Sequence, residues 1–337
     1  MSNPLWNLRL EISNYCNLKC PFCVRQRGIG NYKLNSKHLS LSDIKSWLPK
    51  SFLMFQTTKQ VYLSGAIAEP TLNPECIEIV KYLSQICEIE LDSNGSTNNE
   101  EWWYKLGNTK INCIFSPDSL LPSNNLYRIN ANTEKTISNI KSFVAGGGKA
   151  CWKYIPFKHN EDELEEQRSI ALKIGAVFSI VQPNPFNADD KVMPSKHFPN
   201  SNLVKDDLVN NQSPKYYCKL LGTGATNLLE ISPDGILYPC CFSATSIFTV
   251  YANYYTNGDP SPNIEITPSM SERTKSFIKF MVPMIEKQGG IKSLSLYHNN
   301  IKDILKTDFY QFLLKNSWEN GNEFCTKHCA SRQYSFQ

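Results

Sequence analysis

The chain has 337 residues, of which 41% are hydrophobic and 20% charged, with a net charge of +4 and an isoelectric point near 8.3. This length suits one large domain plus a smaller one, and the mild positive charge is far short of that of a polybasic nucleic-acid binder. Since the sequence contains neither a basic and apolar leader nor an apolar run of about 18 residues, we expect a cytoplasmic protein with no membrane partner.

The first predicted element is a strand at residues 6–12, and a cysteine loop follows it directly. Cys16, Cys20 and Cys23 have the spacing C-x3-C-x2-C. Three thiolates on one tight loop can hold three irons of a cubane cluster and leave the fourth iron without a protein ligand. The alternatives are a zinc site, which usually has four ligands, or buried structural thiols. The spacing, the aromatic Phe22 and the preceding strand favour the cluster.

This segment resembles the cluster loop of the radical S-adenosylmethionine (SAM) superfamily, in which C-x3-C-x-aromatic-C ends the first strand of a barrel. The resemblance implies a [4Fe–4S] cluster on Cys16, Cys20 and Cys23. It also implies that the open iron chelates SAM, that Phe22 lies beside the adenine, and that one electron cleaves SAM to methionine and a 5′-deoxyadenosyl radical.

Strands and helices alternate along the next part of the chain at roughly thirty-residue intervals, which is typical of repeated βαβ units around a parallel sheet. The expected N-caps are Ser42-Asp43, Asn73 and Asn160. Functional side chains should gather at the C-terminal ends of the strands. The predicted strands are 60–64, 89–92, 111–116, 151–157 and 176–181, and the predicted helices between them are 74–87, 98–107 and 133–145. The family's fold, a partial (β/α)6 TIM-like barrel, matches this order and length.

The same resemblance assigns further SAM contacts to the loops after these strands. Where family members usually carry Gly-Gly-Glu-Pro, this chain has Glu69-Pro70, with Ile67 and Ala68 in place of the glycines. Ser93-Asn94 is similar to the polar end of the family's third strand, and Ser116-Pro117-Asp118 to its Ser-x-Asp. The implied SAM-binding residues are Phe22, Gly65, Glu69, Ser93, Asn94 and Asp118.

A second group of cysteines lies in the last third of the chain, at positions 218, 240, 241, 325 and 329. Four thiolates from a hairpin and a terminal loop suit a fully ligated [4Fe–4S] cluster, and a structural zinc is the main alternative. The arrangement resembles the SPASM and twitch domains of radical SAM enzymes. That resemblance implies one auxiliary cluster on Cys218, Cys240, Cys325 and Cys329, with Cys241 as a spare or substitute. The cysteines interpreted as core residues are Cys76, Cys87, Cys113 and Cys151.

We therefore expect a radical SAM barrel at residues 1–183, a linker at 184–217, and a small α+β iron–sulfur domain at 218–337. The last domain should contain a β-hairpin around Ser232-Pro233-Asp234-Gly235. A polar stretch of about 25 residues should follow the hairpin, and helices are expected near 268–287 and 301–316.

The implied function is that of a radical SAM oxidoreductase or isomerase that takes a hydrogen atom from a substrate carbon, with the auxiliary cluster assisting oxidation or rearrangement. The implied substrate is a small molecule or a peptide. Because only five residues precede the first strand, whereas peptide-modifying members often carry an N-terminal recognition module, a compact substrate is favoured. An electron donor such as flavodoxin or ferredoxin is an expected partner. The alternatives are modification of a nucleotide or nucleic-acid base, prompted by the basic loop at 25–37, and a non-catalytic electron carrier or zinc-stabilised binding protein.

Overall fold

The computed structural model describes residues 6–21, 23, 25–26, 37–50, 60–64, 68–120, 122–181, 227–239, 241–267, 270 and 272–315. These residues fall into two compact units. We call Ile12–Arg27 with Val61–Val209 the cysteine-loop unit, and Met1–Glu11 with Gly28–Gln60 and Asn210–Gln337 the hairpin unit.

The helices and strands follow one another in the order β1 (Trp6–Leu10), α1 (Leu41–Trp47), β2 (Gln60–Leu63), α2 (Cys76–Leu83), β3 (Glu88–Ser93), α3 (Glu100–Gly107), β4 (Asn112–Phe115), α4 (Thr133–Ala145), β5 (Lys149–Tyr154), α5 (Leu164–Lys173), β6 (Val177–Ile180), β7 (Asn227–Ile231), β8 (Leu237–Tyr238), α6 (Cys241–Val250), α7 (Ala252–Asn257), α8 (Glu272–Phe280), α9 (Val282–Lys287), α10 (Ile301–Lys306) and α11 (Asp308–Lys315). Short 3-10 turns occur at Pro70–Leu72, Pro122–Leu126, Glu161–Glu163 and Ile291–Leu294.

The cysteine-loop unit is an open α/β layer. Its strands lie in the order β6-β5-β4-β3-β2, and β3, β4, β5 and β6 pair in parallel. Connecting parallel neighbours requires a crossover, and a helix supplies it after each of β2 to β5. Within the described residues β6 is an edge strand, so the sheet is not closed. The predicted α/β class and partial TIM-like barrel are confirmed.

One face of this sheet packs against α3 and α4 through an aromatic cluster. Trp103 of α3, Phe115 of β4 and Phe143 of α4 are each fully buried, with ring centroids 5.1 to 6.2 Å apart. The tilted and edge-to-face arrangements are those that aromatic rings favour. The Trp103 indole N–H donates to the carbonyl oxygen of Thr97 at 3.0 Å, so its polar atom is satisfied in the core.

The hairpin unit contains the remaining strands. β7 pairs in parallel with β1 over its whole length, and β8 pairs antiparallel with β7. The predicted hairpin is therefore confirmed. Its turn requires a glycine, because Gly235 has a φ of 71° and a Cβ there would lie 2.8 Å from the Tyr297 ring and 2.9 Å from Trp47.

The predicted polar stretch after the hairpin is wrong, since α6 and α7 occupy it. Ile247, Tyr251 and Tyr255 are buried, and the ring of Phe248 stacks on Tyr255 with centroids 4.5 Å apart. Residues at this spacing share one helical face. Their burial outweighs the low helix preference of the Ser, Thr and Asn residues between them.

The structure also corrects the three predicted N-caps. Ser40, and not Ser42, caps α1 and forms a capping box with Asp43. The Asn73 side chain donates to the Ile12 carbonyl oxygen at 2.6 Å and accepts from the Glu75 N–H at 2.8 Å, and α2 begins only at Cys76. Asn160 bonds to the backbone of Ile155 and Phe157. The side chains of Asn73 and Asn160 are thus used by turns that precede the helices, whereas Ser42 lies inside α1.

None of the helices in the described part of the chain has the length and apolar character that a membrane span requires.

The close approach of α3 and α4 depends on two glycines. A Cβ on Gly107 would lie 2.1 Å from the Phe143 carbonyl oxygen, and one on Gly146 would lie 2.4 Å from that of Tyr104. Neither oxygen can rotate away, because both belong to helix backbone.

Gly107→Ala is therefore expected to lower the free energy of unfolding by about 2 kcal/mol. Overpacking costs about 1–3 kcal/mol and a backbone clash lies at or above the upper end, whereas the helix preference of alanine returns about 1 kcal/mol. Urea unfolding measures the difference. Lys105→Ala on α3 is the control, with a change of at most about 0.5 kcal/mol, since it removes an exposed ion pair with Glu101. A Gly107 variant as stable as the wild type would contradict the close packing.

Candidate functional site

The cysteine loop is a compact turn after β1. The Cys23 N–H donates to the Cys20 carbonyl oxygen at 3.1 Å, and the Gln26 N–H donates to that of Cys23 at 2.9 Å. Cys20 is buried, whereas Cys16 and Cys23 are half-buried, and all three are free thiols. The short chain separation between the cysteines thus brings three sulfur ligands onto one loop, as their spacing predicts.

These thiols suit a group with several metal atoms better than a single ion. A closed zinc site usually has four ligands, whereas the loop offers three thiols. Zinc needs its thiolates about 2.3 Å from one centre, whereas each thiolate of a cubane binds a different iron and stands apart from the others. The donor set of the loop therefore fits three corners of a [4Fe–4S] cluster.

Burial favours the protonated form of two of these thiols, Cys16 and Cys20, in the absence of metal. It raises the pKa of Cys16 to about 12, and the nearby Glu69 carboxylate adds to the effect. Burial also raises the pKa of Cys20, while the Arg128 guanidinium opposes that rise. Metal binding must therefore displace protons from the loop, and the positive charge of the iron supplies the compensation.

Two nitrogen donors lie beside the sulfur atoms. Asn94 Nδ2 is 4.0 Å from Cys16 Sγ, and Arg128 Nη1 is 4.0 Å from Cys20 Sγ. Hydrogen bonds and positive charge stabilise thiolates, and hydrogen bonds to the sulfurs are one of the means by which a protein tunes an iron–sulfur cluster. This arrangement suits sulfur atoms that carry negative charge.

Glu69 joins three segments of the site. Its backbone N–H donates to the Tyr15 carbonyl oxygen in the cysteine loop at 2.9 Å. Its Oε1 accepts from the hydroxyls of Thr71 at 2.6 Å and Ser93 at 2.7 Å, and its Oε2 accepts from the Asn94 N–H at 2.8 Å. Burial raises the pKa of this carboxyl group, and the hydrogen bonds lower it. The buried carboxylate thus holds the loop after β2, the end of β3 and the cysteine loop together.

Asn94 continues this network toward the cysteines. Its Nδ2 donates to Asn17 Oδ1 at 2.9 Å, and its Oδ1 accepts from the Ser96 N–H at 2.9 Å and hydroxyl at 2.7 Å. Asn17 in turn donates to the Ser96 hydroxyl at 3.0 Å. The predicted site residues Glu69, Ser93 and Asn94 are therefore brought together at the cysteine loop.

Asp118, predicted as a SAM contact, lies just beyond β4 with a φ of 55°. Its Oδ2 accepts from Arg128 Nε at 2.6 Å and its Oδ1 from the Ile155 N–H at 3.1 Å. Sequence reasoning did not single out Arg128. The sequence does contain a feature that could have drawn attention to Arg128, because it is the one charged residue between Asp118 and Glu134.

The strand faces that point away from the helices carry charged side chains. On β3 and β5 the buried Leu91 and Trp152 alternate with Asp92 and Lys153, whose Oδ1 and Nζ are 3.7 Å apart. Cys151, predicted as a core residue, is half-buried on β5, whereas the other three such cysteines, Cys76, Cys87 and Cys113, are buried as expected.

Several predicted site residues lie outside the described residues: Phe22, Gly65, Cys218, Cys240, Cys325 and Cys329. Cys241 begins α6.

Comparisons with known proteins cover the part of the chain that contains this site. Residues 10–168 match the family model described as the radical SAM superfamily. A GTP 3',8-cyclase of Haemophilus ducreyi is 34% identical over 120 residues, and one of Picosynechococcus is 29% identical over 96 residues. These alignments cover 34% and 28% of this chain, and the chain spans only 33% and 28% of the length of those two relatives.

Solved structures share the fold over most of the chain. Streptococcus suis SuiB bound to precursor peptide SuiA has a TM-score of 0.56 at 13% identity, covering 93% of this chain and 67% of that one. Polyhistidine-tagged anSMEcpe with bound AdoMet has a TM-score of 0.54 at 14% identity, covering 94% and 81%. Residues 10–168, which contain the cysteine loop and the Glu69 network, are thus the part of this chain that matches the radical SAM superfamily.

Proposed function

We propose that this chain is an enzyme that binds a [4Fe–4S] cluster on Cys16, Cys20 and Cys23 and uses it to cleave SAM reductively. When bound, the cluster and SAM together supply the 5′-deoxyadenosyl radical that takes a hydrogen atom from a substrate carbon. The observation that carries the proposal is the cysteine loop itself, with its three thiols, two nitrogen donors at the sulfurs and a tie to the Glu69 network.

The residues of the chain position and protect the reacting groups, while the cofactors supply the bond-breaking chemistry. Glu69 and Asn94 fix the distance between the cysteine loop and the end of β3, where family resemblance assigns the ribose and methionine contacts. Ser93 and Asn94 are themselves buried at this end of β3. The assigned SAM contacts Phe22 and Gly65 belong to the same proposal, on the strength of their places in the motif.

An auxiliary [4Fe–4S] cluster on Cys218, Cys240, Cys325 and Cys329 is the second part of the proposal. The support is the spacing of these cysteines and the fold shared with SuiB and anSMEcpe over more than nine-tenths of the chain. Cys241 is the substitute ligand if Cys240 is not used. A second cluster would assist an oxidation or rearrangement by carrying an electron to or from the substrate.

The favoured substrate is a small molecule or a peptide, and the favoured electron donor is a flavodoxin or a ferredoxin. One of the similar structures is SuiB bound to a precursor peptide, which supports the peptide class. A nucleotide is the second candidate, because the two curated relatives are named GTP 3',8-cyclases. The cysteine-loop unit offers charged groups for either class at Asp92 and Lys153.

Anaerobic reconstitution with iron and sulfide tests both clusters. Wild-type protein is expected to bind about eight irons and, with dithionite and SAM, to form 5′-deoxyadenosine, whereas a Cys16→Ala/Cys20→Ala/Cys23→Ala variant should bind about four and form none. Cys87→Ala, which removes a buried thiol outside both groups, is the control and should behave as the wild type. Wild-type protein that holds the cluster but forms no 5′-deoxyadenosine would refute the enzyme proposal, and about four irons with one zinc would refute the auxiliary cluster.

Glu69→Gln tests the network that supports the site. The new amide NH₂ faces either the Asn94 N–H or the hydroxyls of Thr71 and Ser93, so at least one buried donor loses its acceptor. We expect the free energy of unfolding of the iron-free protein to fall by about 1–3 kcal/mol and cluster loading to fall with it. Glu75→Gln, at an exposed position just before α2, should change the free energy by about 0.5 kcal/mol or less. Unchanged stability and loading in the Glu69 variant would show that the network does not hold the loop.

The rate of SAM cleavage in the presence of candidate substrates separates the two substrate classes. We expect ATP, GTP, CTP and UTP to leave the rate of 5′-deoxyadenosine formation unchanged, since the favoured substrate is not a nucleotide. Methionine formation measured in the same samples controls for SAM turnover. Stimulation by GTP, with deuterium transfer from labelled GTP into 5′-deoxyadenosine, would instead establish the nucleotide candidate.

A further inference from the structure

Arg128 places a largely buried cation beside one cysteine of the loop. Its side chain is only 14% exposed, its Nη1 is 4.0 Å from Cys20 Sγ, and its Cζ is 4.9 Å from the centroid of the Tyr127 ring. A second contact fixes the two segments to each other, because the Lys19 N–H donates to the Ile129 carbonyl oxygen at 3.1 Å. The residues that precede Cys20 and follow Arg128 are thus hydrogen-bonded together.

The carboxylate that holds Arg128 is itself hydrogen-bonded to the neighbouring backbone. Asp118 is buried, and its Oδ2 accepts from Arg128 Nε at 2.6 Å. Its Oδ1 accepts from the Ile155 N–H at 3.1 Å, and its carbonyl oxygen accepts from the Trp152 indole at 3.3 Å. Since one edge of the guanidinium is occupied by Asp118, the Nη1 edge is left facing the sulfur. The geometry fixes the distance of the cation from Cys20.

We propose that Arg128, held by Asp118, is an electrostatic positioning residue that favours the reduced state of the cluster at Cys20. The inference rests on the proposed function only in requiring a cluster on the cysteine loop. Reduction adds one electron, which the external donor supplies, and adds no proton. The cluster bound to Cys20 therefore becomes more negative. A cation about 4 Å from the sulfur stabilises that extra charge, and in a buried site the interaction is weakly screened.

Asp118 opposes this effect while it positions the cation. Among the described residues, the charged side chains that act on Cys20 are Arg128 and Asp118, and the Cys23 thiol is the neighbouring ionisable group. Removing the charge of Arg128 should therefore disfavour reduction, and removing the charge of Asp118 should favour it. If Arg128 and Asp118 served only to pack the site, their substitutions would not be expected to shift the midpoint potential in opposite directions.

The experiment is a redox titration of the reconstituted protein without SAM, with dithionite as reductant and EPR detection of the reduced cluster. The triple alanine variant of Cys16, Cys20 and Cys23 gives the signal of any auxiliary cluster, which is subtracted. We expect Arg128→Gln to lower the equilibrium constant for one-electron reduction of the cluster about tenfold. This change corresponds to a midpoint potential lower by about 59 mV. We expect Asp118→Asn to raise the midpoint, since asparagine tolerates the left-handed φ at this position and keeps an acceptor for the Ile155 N–H.

Two further variants complete the test. Arg128→Lys keeps the charge, so its midpoint should lie closer to the wild type than that of Arg128→Gln. Arg168→Gln is the matched control, because it breaks an exposed Arg–carboxylate pair with Glu165, whose atoms are 3.3 Å apart, and its midpoint should equal the wild type. If Arg128→Gln binds no cluster, the midpoint potentials of Asp118→Asn and Arg128→Lys, each compared with the wild type, decide whether the inference holds.

Unchanged midpoints, or shifts in the same direction for the Arg128 and Asp118 variants, would overturn the inference. This outcome is distinct from failure of the proposed function. A wild-type protein that holds no cluster on the cysteine loop, or that holds one and cleaves no SAM, refutes the proposed function. The midpoint shifts are measured without SAM and do not depend on its cleavage.

Discussion

A buried carboxylate is costly unless hydrogen-bond donors surround it, and in this chain the donors around Glu69 come from the segments that build the site. Thr71 follows Glu69 in its own loop, whereas Ser93 and Asn94 lie at the end of β3. The Glu69 backbone reaches the cysteine loop at Tyr15. Satisfying one carboxylate thus sets the separation of three loops, and the positions of the cysteines depend on it.

The same low dielectric that makes an unpaired carboxylate costly also disfavours the thiolate form of the buried cysteines. Burial raises the pKa of Cys16 and Cys20, so the loop needs metal charge, hydrogen-bond donors or a cation before its sulfurs become anionic. Asn94 and Arg128 stand at these two sulfurs. One of them belongs to the Glu69 network and the other to the Asp118 pair, so both buried carboxylates act on the cysteines through a nitrogen donor.

Local patterns predicted most of the fold. The alternation of apolar strands with amphipathic helices predicted the order of β1 to β6 with the helices between them, and Pro-Asp-Gly predicted the hairpin of β7 and β8. The errors fell where long-range contacts compete with local preference. Asn73 and Asn160 bond to distant or preceding backbone instead of capping helices, and α6 and α7 form because buried aromatic side chains stabilise a segment rich in weak helix formers.

The sequence by itself determined that three thiols share one loop, because Cys16, Cys20 and Cys23 lie within eight residues and a short spacing is a local property. The alternation of strands and helices was equally local. Only the tertiary structure decided which other groups reach the sulfurs. Arg128 is separated from Cys20 by 108 residues along the chain, and Asn94 from Cys16 by 78. Their encounter depends on how parallel strands pair and how their end loops pack, and no periodicity in the sequence records that.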